Sequence, residues 1–572
     1  MIKVHEEMSI KRPKKIITLV IAIANKLLNE LDFKKKINSQ VEWDRSHWRI
    51  SPGGLLKALV LSTFTDIRIP LTRLQERMRD YDLEYLIGYE AAVSDLNSFN
   101  VGRALERLGE SDCAGLYENI ALSALTQYDI PVTRTHSDTT TISFYGEYDT
   151  EEMDLTEDEQ KELLQIEKGY NKDGRPGSNQ AVIGQIATEH GIPLSNRALG
   201  GSTSDVEWNK QSLDYLEQLR GKGFKQGIYV ADSKLCTQAH IRRMNQKESY
   251  VPFVTRCPAN FAEKLASRMI GRAYTNEAWE ELGQIGSGKK ASRYRGISLI
   301  NDVYGSPMRI LVLESSDMAA KAELTLEKER GKLQPIIKGL ESKEFVCRAD
   351  AEKEYRRFCG LKELKLFKCR MEIVEEVKEK WPRGRRSGQT RPAIIQNYKI
   401  HIKQIERNEE TCKQYMRRAS CFVILSNIID ESTSNQDLLK TYKGQTVVEN
   451  SFRQLKGPNL ASVIYLKNPK RIQGLIMILS LSLLLRAIIQ YRMRSGLKEH
   501  LENNPDQPIY AGWGGRSLKA PTFKLLYEHT INCYYVREQT GEYSFTWPYP
   551  EKRDLVEPLL DIMGLSVVSI LE

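Results

Sequence analysis

The stretch from Val132 to Thr255 constrains the fold more tightly than any other part of the chain. Val132–Tyr145 is rich in Thr and Ile, residues that suit a pleated strand. Ala181–Thr188 and Pro193–Leu199 flank a His190-Gly191 turn and read as a hairpin. Val206–Leu219 follows the helical period, and Gly227–Ala231 is a short apolar run ending at Asp232. Thr237–Asn245 then reads as a helix and Tyr250–Thr255 as a strand. This order predicts an α/β class, with a mixed sheet flanked by helices.

A strand meander followed by alternating helices and strands is the order of an RNase H-like core. The 572 residues exceed what one hydrophobic core holds, so further domains are expected around it. Residues 1–128 are helical in pattern: Leu27, Leu28 and Leu31 share a face, Ser51-Pro52-Gly53-Gly54 punctuates before Leu55–Thr63, Pro70 opens Leu71–Arg79, and Val101–Leu125 steps by three and four. Such a region suits a DNA-binding module of the helix-turn-helix kind, or any small helical bundle. The core occupies 129–257 and 420–496, with an apolar strand at Cys421–Ser426 and a helix at Asn435–Lys456. Between them, 258–419 reads as an insertion with its own β structure at Gly296–Ile300 and Met308–Leu313. The charged Thr150–Lys168 is an excursion, and 497–572 carries no assigned role.

Charge narrows the partners. The net +9 comes from 84 basic and 75 acidic residues, and the basic ones cluster at Lys11–Lys15, Lys34–Lys36, Arg383–Arg386 and Arg492–Arg494. Local basic patches favour nucleic acid through counterion release, although solvated helix faces look the same. The nine cysteines follow no zinc or disulfide spacing, as for buried thiols of a reducing cytoplasm. Leu475–Leu485, broken by Arg486, is too short to span a bilayer and predicts a buried helix. Ile16–Ala24 is short and has no cleavage-like site after it, so neither a signal peptide nor a membrane partner is expected.

Three acids carry the chemistry. Asp138 interrupts a strand in which aspartate is disfavoured, which marks either a site or a solvated edge. Asp232 ends an apolar strand, where ligand sites of α/β sheets lie, though Asp also caps helices well. Tyr442, Gln445, Glu449, Arg453 and Lys456 fall within roughly 80° of one helix face at 100° per residue, beside an apolar face of Val448, Phe452 and Leu455. That stripe reads as a phosphate-facing surface around a metal ligand, or as a surface helix with a Glu449–Arg453 pair. Taken together, Asp138, Asp232 and Glu449 would supply an oxygen cage for two Mg²⁺ (or Mn²⁺) ions, a pair that stabilises the entering and leaving oxygens of an in-line displacement at phosphorus. His136, two residues from Asp138, shares its face and suits a supporting hydrogen bond to the site or a ligand role.

The segment Tyr442-Lys-Gly-Gln445-Thr-Val-Val-Glu449-Asn-Ser-Phe-Arg453-Gln-Leu-Lys456 resembles the Y-(2)-R-(3)-E-(6)-K signature of bacterial insertion-sequence transposases. These are DDE enzymes of the family numbered 4, and the chain is most similar to the branch numbered 1634. Supporting it are His136-Ser-Asp138-Thr-Thr, Gly169-Tyr-Asn-Lys-Asp-Gly-Arg-Pro176, Gly191-Ile-Pro-Leu194, Gly201-Ser-Thr-Ser-Asp205 and Val230-Ala-Asp232-Ser. Gln445 departs from the family's Arg. The resemblance implies cut-and-paste transposition: metal-dependent nicking at transposon ends, then strand transfer into target DNA. It also implies that Tyr442, Gln445, Arg453 and Lys456 contact DNA phosphates, with a homodimer forming on double-stranded DNA in the bacterial cytoplasm, at the nucleoid. An insertion-domain aromatic (Tyr294, Tyr304, Trp381 or Tyr398) would stack on an extruded base. The rival expectations are a nuclease of the same fold that does not join strands and a DNA-binding relic without catalysis.

Overall fold

The computed structural model describes residues 15–65, 73–88, 91–146, 148, 163–225, 227–276, 278–286, 288, 291–384, 391–457, 464 and 466–572. Lys11–Lys14, the start of the segment expected at Pro70, most of Thr150–Lys168 and Arg385-Arg386 lie outside the described residues. The chain forms two compact units, one of 1–253 with 443–572 and one of 254–442.

In the first unit the Arg134–Phe144 strand lies inside a mixed sheet. It runs antiparallel to Asn179–Thr188, with Asp138 opposite Gln185, and parallel to Ile228–Ala231. Asn179–Thr188 also pairs antiparallel with Pro193–Leu199 across the turn at Gly191, whose φ of 80° suits glycine. Having strands on both sides removes the edge-strand alternative for Asp138. It also buries the polar residues around that acid, so Ser137, Thr139 and Thr141 are almost wholly enclosed. Their hydroxyls need partners there, and the Asp205–Gly221 helix supplies several. Its Trp208 indole donates to Ser137 Oγ at 2.9 Å, and Ser212 Oγ lies 3.2 Å from the same atom. Trp208 fits because position 184 is glycine: a Cβ there would fall 2.4 Å from the indole ring.

The Pro469–Asn503 helix is long and apolar enough to cross a membrane, yet 89% of its most apolar window is buried within the protein. The expected buried helix around Leu475–Leu485 is therefore present. It crosses the Ser98–Glu110 helix at close range: a Cβ on Gly474 would come within 2.4 Å of the Leu105 carbonyl oxygen. Ion pairs Arg471–Glu106 (2.8 Å) and Lys470–Glu110 (3.0 Å) flank the crossing.

The N-terminal region is helical as expected, including Leu19–Glu30, Phe33–Gln40 and Pro52–Ser62. Ser51 caps the last of these through Gly54 N at 3.2 Å, with proline at the first turn. The run expected over Val101–Leu125 is two helices, Ser98–Glu110 and Cys113–Gln127. The second is capped by Asp112, whose carboxylate accepts from Gly115 N at 2.9 Å. The C-terminal strands Tyr534–Arg537 and Tyr543–Thr546 complete a three-stranded sheet with Ile16–Thr18, tying the far end of the sequence to the N-terminal region.

The second unit holds an antiparallel sheet in the order Phe253–Arg256, Cys421–Ser426, Ser306–Ser315, Ser292–Val303 and Glu280–Ile285. The strands anticipated at Gly296–Ile300 and Met308–Leu313 fall inside it. A two-stranded ribbon, Phe367–Lys380 with Ala393–Arg407, rests on its own cluster of Leu333, Ile337, Leu340, Phe358, Phe367 and Ile400. The helix expected over Asn435–Lys456 is two helices, Asn435–Lys443 and Thr446–Leu455. Gly444, among the poorest helix formers, stands at the break. Tyr442 therefore leaves the proposed stripe and packs on Phe422, with ring centroids 6.1 Å apart.

Candidate functional site

The parallel ladder sets the two strand acids side by side. Its last pair is His136 with Val230, so Asp138 and Asp232 each stand two residues further along, on the same face by the period of a strand. Asp138 keeps 26% of its side chain exposed and accepts from Thr139 N at 2.7 Å. Asp232 accepts from Lys234 N at 3.0 Å and so caps the Ser233–Leu235 turn. It is thus both a strand-end acid and a cap.

Burial pushes the Asp138 carboxyl up to about 6, with Asp232 and Asp205 adding to the rise and Lys172 opposing it. The same two causes, burial and then the Asp205 charge, raise Asp232. Lys172 Nζ lies 2.9 Å from Asp205, 3.8 Å from Asp138 and 3.1 Å from the Thr139 carbonyl oxygen. Asp205 accepts from Thr139 Oγ1 at 2.5 Å. Asn209 reaches toward Asp232 (3.5 Å) and is oriented by the buried Tyr229 hydroxyl at 3.0 Å. An oxygen-lined spot at the strand ends thus already holds one positive charge.

The Thr446–Leu455 helix lies over this sheet. Val448 and Phe452 pack with Ala187, and Ser451 hydrogen-bonds Gln185, the residue opposite Asp138, at 2.9 Å. Gln445, one turn before Glu449, donates to the Ser137 carbonyl at 3.5 Å. At the other end Lys456 pairs with Asp173 at 2.6 Å, next to Lys172. Glu449 is exposed on the stripe between these two anchors. Arg453 donates to Asn450 at 2.8 Å, and no ion pair joins it to Glu449 among the described residues. Also among the described residues, no group of three or more His, Cys, Asp or Glu stands ready to hold a metal.

Lys172, Asp205 and Asn209 carried no assigned role in the sequence. Lys172 and Asp205 lay inside the quoted Gly169–Pro176 and Gly201–Asp205 segments, but only the fold shows that Lys172 bridges Asp205 and Asp138. His136 is buried, and desolvation brings its imidazole down to about 4. Its Nδ1 meets no hydrogen-bond partner among the described residues. Tyr294 is 6% exposed and offers no free face for a base, whereas Trp381 is 37% exposed. In the N-terminal region Lys34 and Lys35 of the Phe33–Gln40 helix and Trp43, Arg45 and Trp48 of the connection after it line an open hollow of about 660 Å³.

Residues 15–122 match a family model described as a domain of unknown function, DUF4277. No curated protein matches the chain. Among solved structures, the cryo-EM structure of the piggyBac transposase synaptic complex with hairpin DNA is similar over 91% of this chain and 81% of that one. The identity is 9% and the TM-score 0.37, a likeness too weak to argue from.

Proposed function

We propose that the chain is a DNA transposase that cuts at transposon ends and transfers the freed strand into target DNA. The observation that carries this reading is the alignment of Asp138 and Asp232 beneath a helix whose stripe is tied down on both sides of Glu449. Two buried neighbouring carboxylates repel each other, and a hard divalent cation relieves that repulsion through oxygen ligands. The ammonium of Lys172 already drawn among Asp138, Asp205 and Thr139 supports the fit of this donor set to positive charge. Asp138, Asp232 and Glu449 are the residues that would hold Mg²⁺ or Mn²⁺. Such ions supply charge stabilisation at the attacking and leaving oxygens of phosphoryl transfer.

The sheet order 193–199, 179–188, 134–144, 228–231, antiparallel and then parallel, supports an RNase H-like reading of the core. Gln445, Arg453 and Lys456 share the face of Glu449 and suit the flanking phosphates. Purified protein, labelled element ends and Mg²⁺ or Mn²⁺ test the reading, with Glu449→Gln as control. Metal-dependent cleavage and joining, both lost in the variant, is the expected result. Cleavage without joining would make the chain a nuclease, and end binding without cleavage would make it a DNA-binding relic.

A further inference from the structure

A cleft of about 820 Å³ opens in the first unit behind the Thr446–Leu455 helix. Its walls are that helix, the Glu189–Gly191 turn, the long helix from Leu483 to Arg494, and Thr522–Glu528. Four basic side chains reach it, Arg453, Arg486, Arg494 and Lys524, against two acids, Glu189 and Glu528. Neither acid serves the guanidiniums. Glu189 accepts from Thr133 N, Thr133 Oγ1 and Arg134 N, while Glu528 stands 3.6 Å from Lys524.

The guanidiniums meet only neutral groups among the described residues. Arg494 Nε donates to the Pro521 carbonyl (3.0 Å), Arg486 Nη2 to the Thr63 carbonyl (2.7 Å), and Arg453 to Asn450 (2.8 Å). Arg486 is 7% exposed and lies between the Phe64 and Phe523 rings, 5.2 and 5.1 Å from their centroids. Its Nε has no hydrogen-bond partner among the described residues. Burial lowers Arg494 and brings Arg486 down to about 10, the sign of cations held at a cost. An anion in the cleft would relieve that cost, and the planar guanidinium fork matches phosphate oxygens.

We propose that this cleft is a phosphate-binding site distinct from the three acids, and that it takes the phosphodiester backbone of a DNA strand leaving the Glu449 helix. Arg453 lies on that helix and lines the cleft as well, so one strand can follow both surfaces. The phosphate chemistry follows from the cleft alone; DNA as its source rests on the transposase reading.

The test uses the full chain with Arg494→Gln and, as a second variant at an exposed position, Lys524→Gln. Duplex DNA binding is titrated across salt concentrations, and the melting temperature is followed with inorganic phosphate. Each variant is expected to weaken duplex binding severalfold and to flatten the log affinity against log salt slope by about one. Phosphate should raise the melting temperature of the wild type more than that of either variant. If phosphate protection is lost while the DNA slope stays unchanged, the phosphate site stands and DNA as its occupant is overturned. If neither measurement separates two folded variants from the wild type, the site itself is overturned. Glu449→Gln with full cleavage activity would instead sink the catalytic reading and leave the salt slope untouched.

Discussion

Asp138 and Asp232 project side by side from neighbouring parallel strands, two residues past the ladder pair His136 and Val230. The arrangement keeps two carboxylates close in a largely buried place, with Lys172 as the nearby counter-charge. Its cost is electrostatic and therefore measurable.

The first consequence is a pH dependence of stability without metal. The folded Asp138 carboxyl, near 6, lies above the unfolded value of about 3.9. Its contribution is thus fully present at low pH and is lost as pH rises through about 6. In EDTA, wild type should lose on the order of 2 kcal/mol relative to Asp138→Asn between about pH 4 and 7. Denaturant melts across that range check it, and parallel curves for the two proteins would contradict it.

Lys172 opposes the rise of Asp138. Removing its ammonium in Lys172→Met should move the pH midpoint of that stability change upward. The same melts, repeated on the variant, report it. An unmoved midpoint would mean that the ammonium does not interact with Asp138 in solution.

Gly184 is fixed by the indole packed on it. Gly184→Ala puts a methyl 2.4 Å from the Trp208 ring and should cost about 1–3 kcal/mol, as overpacking does. Because Trp208 donates to Ser137, the residue before Asp138, the variant should also lose activity. Chemical denaturation and the cleavage assay measure the two effects separately.

Gln445 sits over the Ser137 carbonyl, one turn from Glu449. Gln445→Arg adds a charge where the resembled signature carries one. It should tighten DNA binding and steepen the salt slope by about one phosphate contact. Unchanged binding would place position 445 away from the DNA.

Much of this was legible in the sequence because it rests on local pattern. The apolar run ending at Asp232, the hairpin around Gly191 and the break at Ser51-Pro52-Gly53-Gly54 each follow from neighbouring residues. Asp138 stood out because aspartate in a Thr-rich strand breaks a rule. Lys172 and Asp205 were not legible as site residues, since strand pairing and helix docking alone bring Lys172 to Asp138 and Asp205 to Thr139 and Lys172. The break between Tyr442 and Glu449 was not legible either: their spacing fits one helix, but Gly444 ends the helix between them. The sheet joining Ile16–Thr18 to Tyr534–Arg537 could not be read either, because nothing in two short strands far apart in the chain names its partner.

The central claim is that Asp138, Asp232 and Glu449 serve one metal site. Fe²⁺ loaded in place of Mg²⁺, with ascorbate and peroxide, cleaves the backbone beside its ligands, and the fragments can be mapped by mass spectrometry. The account predicts DNA-dependent cuts near all three residues, competed away by excess Mg²⁺. Cuts near Asp138 and Asp232 with none near Glu449 would contradict it, and Glu449 would then be a surface carboxylate on a helix that does no chemistry.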